Sequence, residues 1–217
     1  MSKNGAPFIT FEGGEGSGKS TQVEILNRTL LQADIDVLSL REPGGTPGAE
    51  HIRELVLHRD TELWTPVTEA LLMSASRSDL VSKRLIPALD KGVWVLCDRF
   101  TDSTLAYQGF GHKLGYEAID ALNHFTVSDL KPDLTFVFEL NPELGLERAE
   151  VRDGAKDRIE AYDINFHRRV AEGFAEVIKR NPDRCISINA LLDIDIISKQ
   201  ILQEVDRRFG KQKSASV

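Results

Sequence analysis

Lys19 and Ser20 close a glycine-rich run, Gly13-Gly14-Glu15-Gly16-Ser17-Gly18-Lys19-Ser20, that satisfies G-x-x-x-x-G-K-[ST] at every required position. The run follows an apolar stretch, Pro7–Glu12, that reads as a β-strand. It precedes a segment with Val23, Leu26, Leu30 and Leu31 at helical spacing. Strand, glycine loop and helix together are the context in which this motif holds phosphate. Glycines let the backbone wrap an anion so that several N–H groups point inward, and the helix N-terminus adds its positive end. Lys19 is placed to reach β- and γ-phosphates and Ser20 to hold Mg²⁺. The expected phosphate cradle is Gly13, Gly14, Glu15, Gly16, Ser17, Gly18, Lys19, Ser20 and Thr21.

A second group of chemistry-bearing residues lies downstream. Val93–Cys97 reads as a strand that ends at Asp98-Arg99. An aspartate at the end of a hydrophobic strand, downstream of a P-loop, can support Mg²⁺ or its waters, and Arg99 offers a bidentate fork to a phosphate. The alternative is a surface Asp–Arg pair. Thr101–Gly111 is polar and then glycine-broken, with Ser103, Thr104, Tyr107 and Gln108 able to read a base or sugar. Arg53 falls in a helical stretch, Ala49–Leu57, where it either faces solvent or reaches a phosphate. Met73 and Arg77 are four apart on one face of a long helix. An arginine amid Leu71, Leu72 and Leu80 either snorkels or points into a cleft, and the cleft is the favoured reading.

Five strands position these groups. A second strand, Asp36–Leu40, leads into Arg41-Glu42-Pro43-Gly44-Gly45-Thr46-Pro47, whose prolines and glycines exclude a regular element and shape a loop at a strand end. Thr65-Pro66 opens the long helix as N-cap and first helical residue, and that helix runs to about Asp90. A helix over Tyr116–Asp129 precedes a strand at Leu134–Leu140. Helices from Glu143 and from Arg158 to Arg180, a strand at Cys185–Asn189 and a helix at Leu192–Phe209 complete the chain. The alternation predicts an α/β fold: a five-stranded parallel sheet with helices on both faces and ligands at the strand C-termini. Between Arg148 and Glu160, basic and acidic residues interleave around Gly154. That run reads either as a solvated helical hairpin with salt pairs or as an exposed, mobile lid that brings arginines over phosphates; beside a P-loop the lid is favoured.

The whole chain bounds these readings. Its 217 residues suit one domain, with a polar tail at 210–217 expected to fray. A net charge of −7 argues against general nucleic-acid affinity and requires a phosphate site to be locally basic on an acidic body. No apolar run of about 18 residues and no signal peptide are present, so a soluble, cytoplasmic protein without membrane contact is expected. Cys97 and Cys185 sit in apolar runs and read as reduced, buried strand residues.

FEGGEGSGKST, REPGGTP, ALLMSASR, DRFTDSTLAYQG and DRIE, in this order and at these spacings, resemble the bacterial thymidylate kinases over about Phe8 to Phe209. The resemblance implies the P-loop kinase fold, transfer of the γ-phosphoryl group of ATP to dTMP, Mg²⁺ and a homodimer. It implies that Asp98, Arg99 and Arg53 lie near the dTMP phosphate, that Arg77 hydrogen-bonds the thymine, and that Tyr107 packs by the deoxyribose and disfavours a ribose. It places Glu15 near the acceptor. This P-loop carries no arginine, so the chain resembles the subgroup whose lid supplies the catalytic charge, with Arg152 and Arg158 as candidates. It departs from the family at Met73, where a phenylalanine usually stacks on the thymine; Phe100 or Phe110 would be the compensating rings. The rival on the same fold is a kinase for another nucleoside or deoxynucleoside monophosphate. A guanine-nucleotide switch would need an N-K-x-D signature, which does not occur.

Overall fold

The computed structural model describes residues 5–58, 60, 62–153 and 157–210; the side chains of Arg152 and Asp153 and the tail after Gly210 lie outside the described residues. A parallel sheet in the order β2-β3-β1-β4-β5 is its centre. The strands are β1 (Phe8–Gly13), β2 (Val37–Arg41), β3 (Trp94–Asp98), β4 (Leu134–Glu139) and β5 (Cys185–Asn189). β1 pairs with β3 through Phe8↔Val95 to Phe11↔Asp98, and with β4 through Ile9↔Leu134 to Gly13↔Phe138. The expected five-stranded sheet is therefore present, and β1 is buried throughout.

Alternation along the central strands loads both faces. Ile9, Phe11, Phe136 and Phe138 pack on Val23, Leu26 and Leu30 of α1 (Lys19–Gln32) and on Ile197, Ile201 and Val205 of α9 (Ile194–Phe209). On the other face Phe8, Val95 and Cys97 meet Leu80 of α3 (Pro66–Leu80) together with Leu85 and Leu89. Val137 and Cys185 meet Phe166, Val170, Phe174 and Val177 of α8 (Ile164–Arg180). Both cysteines are buried and free, as the sequence predicts.

Caps set the helices. Thr46 and Thr65 accept from Ala49 N–H and Thr68 N–H to start α2 (Pro47–Val56) and α3, each with a proline in the first turn. The long predicted helix is interrupted: α3 passes through a π-helical segment, Val81–Leu85, into α4 (Ile86–Asp90). Pro87 cannot donate to the ladder and crowds the preceding turn, which is where such a widening occurs.

The loop expected through Pro47 ends at Thr46, where α2 is capped, and two further segments differ from their sequence reading. Thr101–Gly111 is helical, as α5 (Thr101–Thr104) followed by a π-helical turn, Leu105–Gly111. Packing overrides the weak local propensity: Gly173 of α8 lets the segment approach so closely that a Cβ there would sit 2.7 Å from Ala106 Cα. The helix expected from Arg158 starts at Ile164, because Asp163 accepts from Phe166 N–H at 3.0 Å and caps it. Residues 158–162 form turns after Asp157. α6 (Tyr116–Val127) and α7 (Pro142–Asp153) complete the described elements.

Candidate active site

The loops after β1, β2 and β3 open on one edge of the sheet and share a cavity of about 260 Å³. Its wall includes Glu15 to Thr21, Arg41, Glu42, Pro43, Arg53, Met73, Asp98, Arg99, Ser103 and Tyr107. The P-loop can fold this tightly only at glycine: Gly16 has φ of +61°, and a Cβ on it would lie 2.1 Å from the Gly145 carbonyl of α7. Lys19, 6% exposed, donates to Gly14 O at 2.7 Å and to Ser17 Oγ at 3.1 Å. Burial, and then the nearby Arg99 guanidinium, bring its ammonium down to about 8. Gly14 lies on the wall of a neighbouring apolar cavity between α7 and α8.

Ser20 and Asp98 meet. Ser20 Oγ donates to Asp98 Oδ2 at 2.5 Å, and Asp98 Oδ1 is buried with no hydrogen-bond partner. An orphaned carboxylate oxygen beside a P-loop hydroxyl fits a hard cation with oxygen ligands. Among the described residues no cluster of three acidic, histidine or cysteine side chains forms a dedicated metal cage.

The acceptor side is built on Arg99, whose φ of +69° is left-handed. Its Nη1 donates to Gly13 O at 2.8 Å and its Nη2 to Glu15 Oε1 at 2.7 Å, with the guanidinium over the Tyr107 ring. Tyr107 OH donates to the same Glu15 oxygen at 2.6 Å. Burial alone would raise the Glu15 carboxyl, but Arg99, Lys19 and the Tyr107 hydrogen bond together bring it down to about 2. Arg53 donates to Pro43 O at 2.8 Å, and burial beside Arg41 lowers its affinity for a proton. The cavity wall is charge-mixed rather than simply basic: Lys19, Arg41, Arg53 and Arg99 stand with Glu15, Glu42, Asp98, Asp157 and Glu160. Glu15 holds Arg99 and Glu50 holds Arg41, while backbone carbonyls hold Lys19 and Arg53.

Other expected site residues lie elsewhere. Arg77 is 1% exposed and does not line the cavity; it pairs with Glu42 at 2.7 Å and donates to Phe100 O and Asn123 Oδ1. Thr104 on α5 and Gln108 on the π-helical turn are both fully buried, and Gln108 donates to Glu69 Oε1 at 2.5 Å. Phe100 packs edge-on against Phe8 within the core, and neither it nor Phe110 reaches the cavity, so neither ring compensates for Met73. The exposed-segment reading also fails at Arg158, which is 0% exposed. Its Nη2 lies 2.6 Å from Glu69 Oε2, its Nε donates to Val56 O at 2.8 Å and its Nη1 to Tyr162 OH at 2.5 Å. A guanidinium in this interior position satisfies a buried carboxylate and the C-terminal carbonyl of α2, as desolvated charges require. Residues 154–156 of the expected lid lie outside the described residues.

Sequence reasoning missed Glu69 and Glu12. Both are glutamates inside apolar segments, and that is the signal that could have found them, since such a residue is buried only with partners.

A family model described as thymidylate kinase matches residues 11–201. The chain belongs to the thymidylate kinase family. It is 46% identical over 203 residues to a thymidylate kinase of Caulobacter vibrioides, covering 94% of this chain and 97% of that one. It is 44% identical over 206 residues to one of Lactobacillus acidophilus, covering 94% and 95%. A crystal structure of a thymidylate kinase from Ehrlichia chaffeensis superposes with a TM-score of 0.76 at 33% identity, covering 93% of this chain and 99% of that one. Its family membership makes this chain a P-loop phosphotransferase, in line with the cradle and the strand-end arginines. Among the described residues no helix is long and apolar enough to cross a membrane.

Proposed function

We propose that this protein transfers the γ-phosphoryl group of ATP to dTMP, giving dTDP and ADP. The observation that carries the proposal is the single cavity in which the P-loop faces Arg53, Arg99, Met73 and Tyr107. Phosphoryl transfer asks for in-line positioning and for neutralisation of charge spreading over the transferred group. Lys19 and the P-loop amides would hold the donor. Arg53 and Arg99 would hold the acceptor phosphate, whose oxygen is already anionic and needs no strong base. Ser20, with Asp98 beside it, would hold Mg²⁺, which when bound neutralises charge on the β- and γ-phosphates. Glu15 would keep Arg99 aligned, Tyr107 would pack by the deoxyribose, and Met73 would pack on the thymine through its thioether. Arg152, on the helix leading toward residues 154–156, is the candidate for added charge over the transferred group; Arg158 is better explained as a structural cation.

A homodimer in the cytoplasm completes the proposal. Val67 and Leu71, one turn apart on α3, and Phe125, 86% exposed on the adjoining α6, leave apolar surface that a second copy would cover. Two free, buried cysteines suit a reducing compartment.

ADP release with ATP–Mg²⁺ and each of dTMP, dUMP, UMP, CMP, dCMP, AMP and GMP tests the reaction. A strong preference for dTMP is expected. A preference for another monophosphate would keep the chemistry and trace the change to Met73; no turnover with any would refute the proposal.

A further inference from the structure

Glu12 has no part in the roles assigned so far, yet it is a fully buried glutamate on the central strand, facing away from Ile9 and Phe11. Both of its oxygens are engaged. Oε1 accepts the Phe100 N–H at 2.7 Å, and Oε2 accepts the Ser103 hydroxyl at 2.5 Å. Both contacts follow closely on Arg99, a non-glycine residue with φ of +69° that must be held against its local preference. Phe11 O accepts the Arg99 N–H at 3.0 Å while its neighbour Glu12 accepts the next one, so two adjacent residues of β1 grip two adjacent residues of the turn. The guanidinium is thereby delivered to Gly13 O and Glu15, with Ser103 Oγ 3.4 Å away, and both Arg99 and Ser103 line the cavity.

We propose that Glu12 is a positioning residue for the acceptor phosphate, holding Arg99 in its left-handed conformation and setting the direction in which the Ser103 hydroxyl donates. This rests on reading the cavity as the dTMP site. The second effect follows from counting protons. While Glu12 is a carboxylate, the Ser103 proton is committed to Oε2. When Glu12 takes a proton from solvent, its O–H donates to Ser103 Oγ, and the serine proton is free to donate to an anion in the cavity. Burial, reinforced by Asp102, pushes the Glu12 carboxyl up to about 8, so both forms are within reach near neutral pH. The surrounding charged and titratable groups are Asp102, itself paired with Arg184 at 2.7 Å, and Arg99, Lys19, Cys97 and Cys185.

Glu12→Gln separates the two forms, because an amide can donate to Ser103 and still accept from Phe100. For wild type, KM for dTMP is expected to rise about tenfold between pH 7 and 9.5, the worth of one charge-assisted hydrogen bond. The dTMP phosphate titrates near pH 6, well below this range. In Glu12→Gln that rise is expected to vanish, while KM for ATP keeps its wild-type pH profile. Glu12→Ala, which releases Arg99 as well, is expected to weaken dTMP binding at least about tenfold with ATP binding little changed. A wild-type rise in dTMP KM retained by Glu12→Gln, or equal losses for both substrates in Glu12→Ala, would overturn the inference. Where the Glu12 variants fail to fold, Ser103→Ala decides: a flat dTMP profile supports the relay through serine and a wild-type profile overturns it. Wild-type protein that binds no dTMP by calorimetry would overturn the acceptor-site reading and this inference with it; wild type that binds dTMP while the variants behave alike overturns this inference only.

Discussion

Arg158→Met should destabilise the protein far more than it slows the reaction. Arg158 and Glu69 are both 0% exposed, and three groups of the guanidinium are committed to Glu69, Val56 O and Tyr162 OH. Breaking a buried pair by removing one partner costs about 3–5 kcal/mol, since the remaining charge stays desolvated. Here Glu69 would keep Gln108, His112 and Tyr162 as partners, which favours the low end, about 3 kcal/mol. The freed Val56 carbonyl at the end of α2 works the other way. For a chain of this size about 3 kcal/mol corresponds to roughly 6–12 °C in Tm. Thermal unfolding followed by circular dichroism would read the shift, with kcat measured well below the transition. The double variant Glu69→Gln/Arg158→Met should recover part of the loss, because the residual group is then neutral. A Tm within about 2 °C of wild type, together with a fall of about 100-fold or more in kcat, would refute this reasoning and return Arg158 to the transferring phosphoryl group.

Four further outcomes are expected. Lys19→Ala should lower kcat by about 10²–10³ or more, in a steady-state assay with saturating ATP and dTMP. Arg152→Ala should lower kcat by about 10³ while leaving KM for dTMP nearly unchanged, and stopped-flow or steady-state kinetics would separate the two. Met73→Phe should tighten dTMP by roughly fivefold, since a flat ring stacks on a base with about 1 kcal/mol more than a thioether, as read by calorimetry. Native stability should fall as pH drops from about 4.5 toward 2, because the Glu69 carboxyl is held at about 2 by His112 and Arg158 against the opposing effect of burial. A depressed carboxyl contributes above its unfolded pKa and loses that contribution as it protonates, so Glu69→Gln should flatten the acid limb of urea-unfolding stability against pH.

The P-loop, the strand-final Asp98-Arg99 and the alternation of strands and helices were legible in the residues, because each is a local pattern with a local physical cause. A glycine run between an apolar strand and a helix can do little else, and an apolar strand that ends in charge must end at an edge. The helix start at the Thr65 cap was readable for the same reason, whereas the cap at Thr46 lies in a stretch expected to be irregular. The direction of a polar side chain was not legible. Arg77, Thr104, Gln108 and Arg158 have the right chemistry for a nucleotide, but all four are buried away from the cavity. Buried carboxylates turned three of them inward: Glu42 takes Arg77, and Glu69 takes Gln108 and Arg158. Pairing over such separations depends on how α2, α3, the segment after α5 and the turn before α8 come together, and no local window contains it. By itself the sequence determined the sheet, the glycine loop between β1 and α1, and the family. Tertiary structure alone decided which polar side chains face the cavity, because burying a charge is tolerable only where the fold brings its partner.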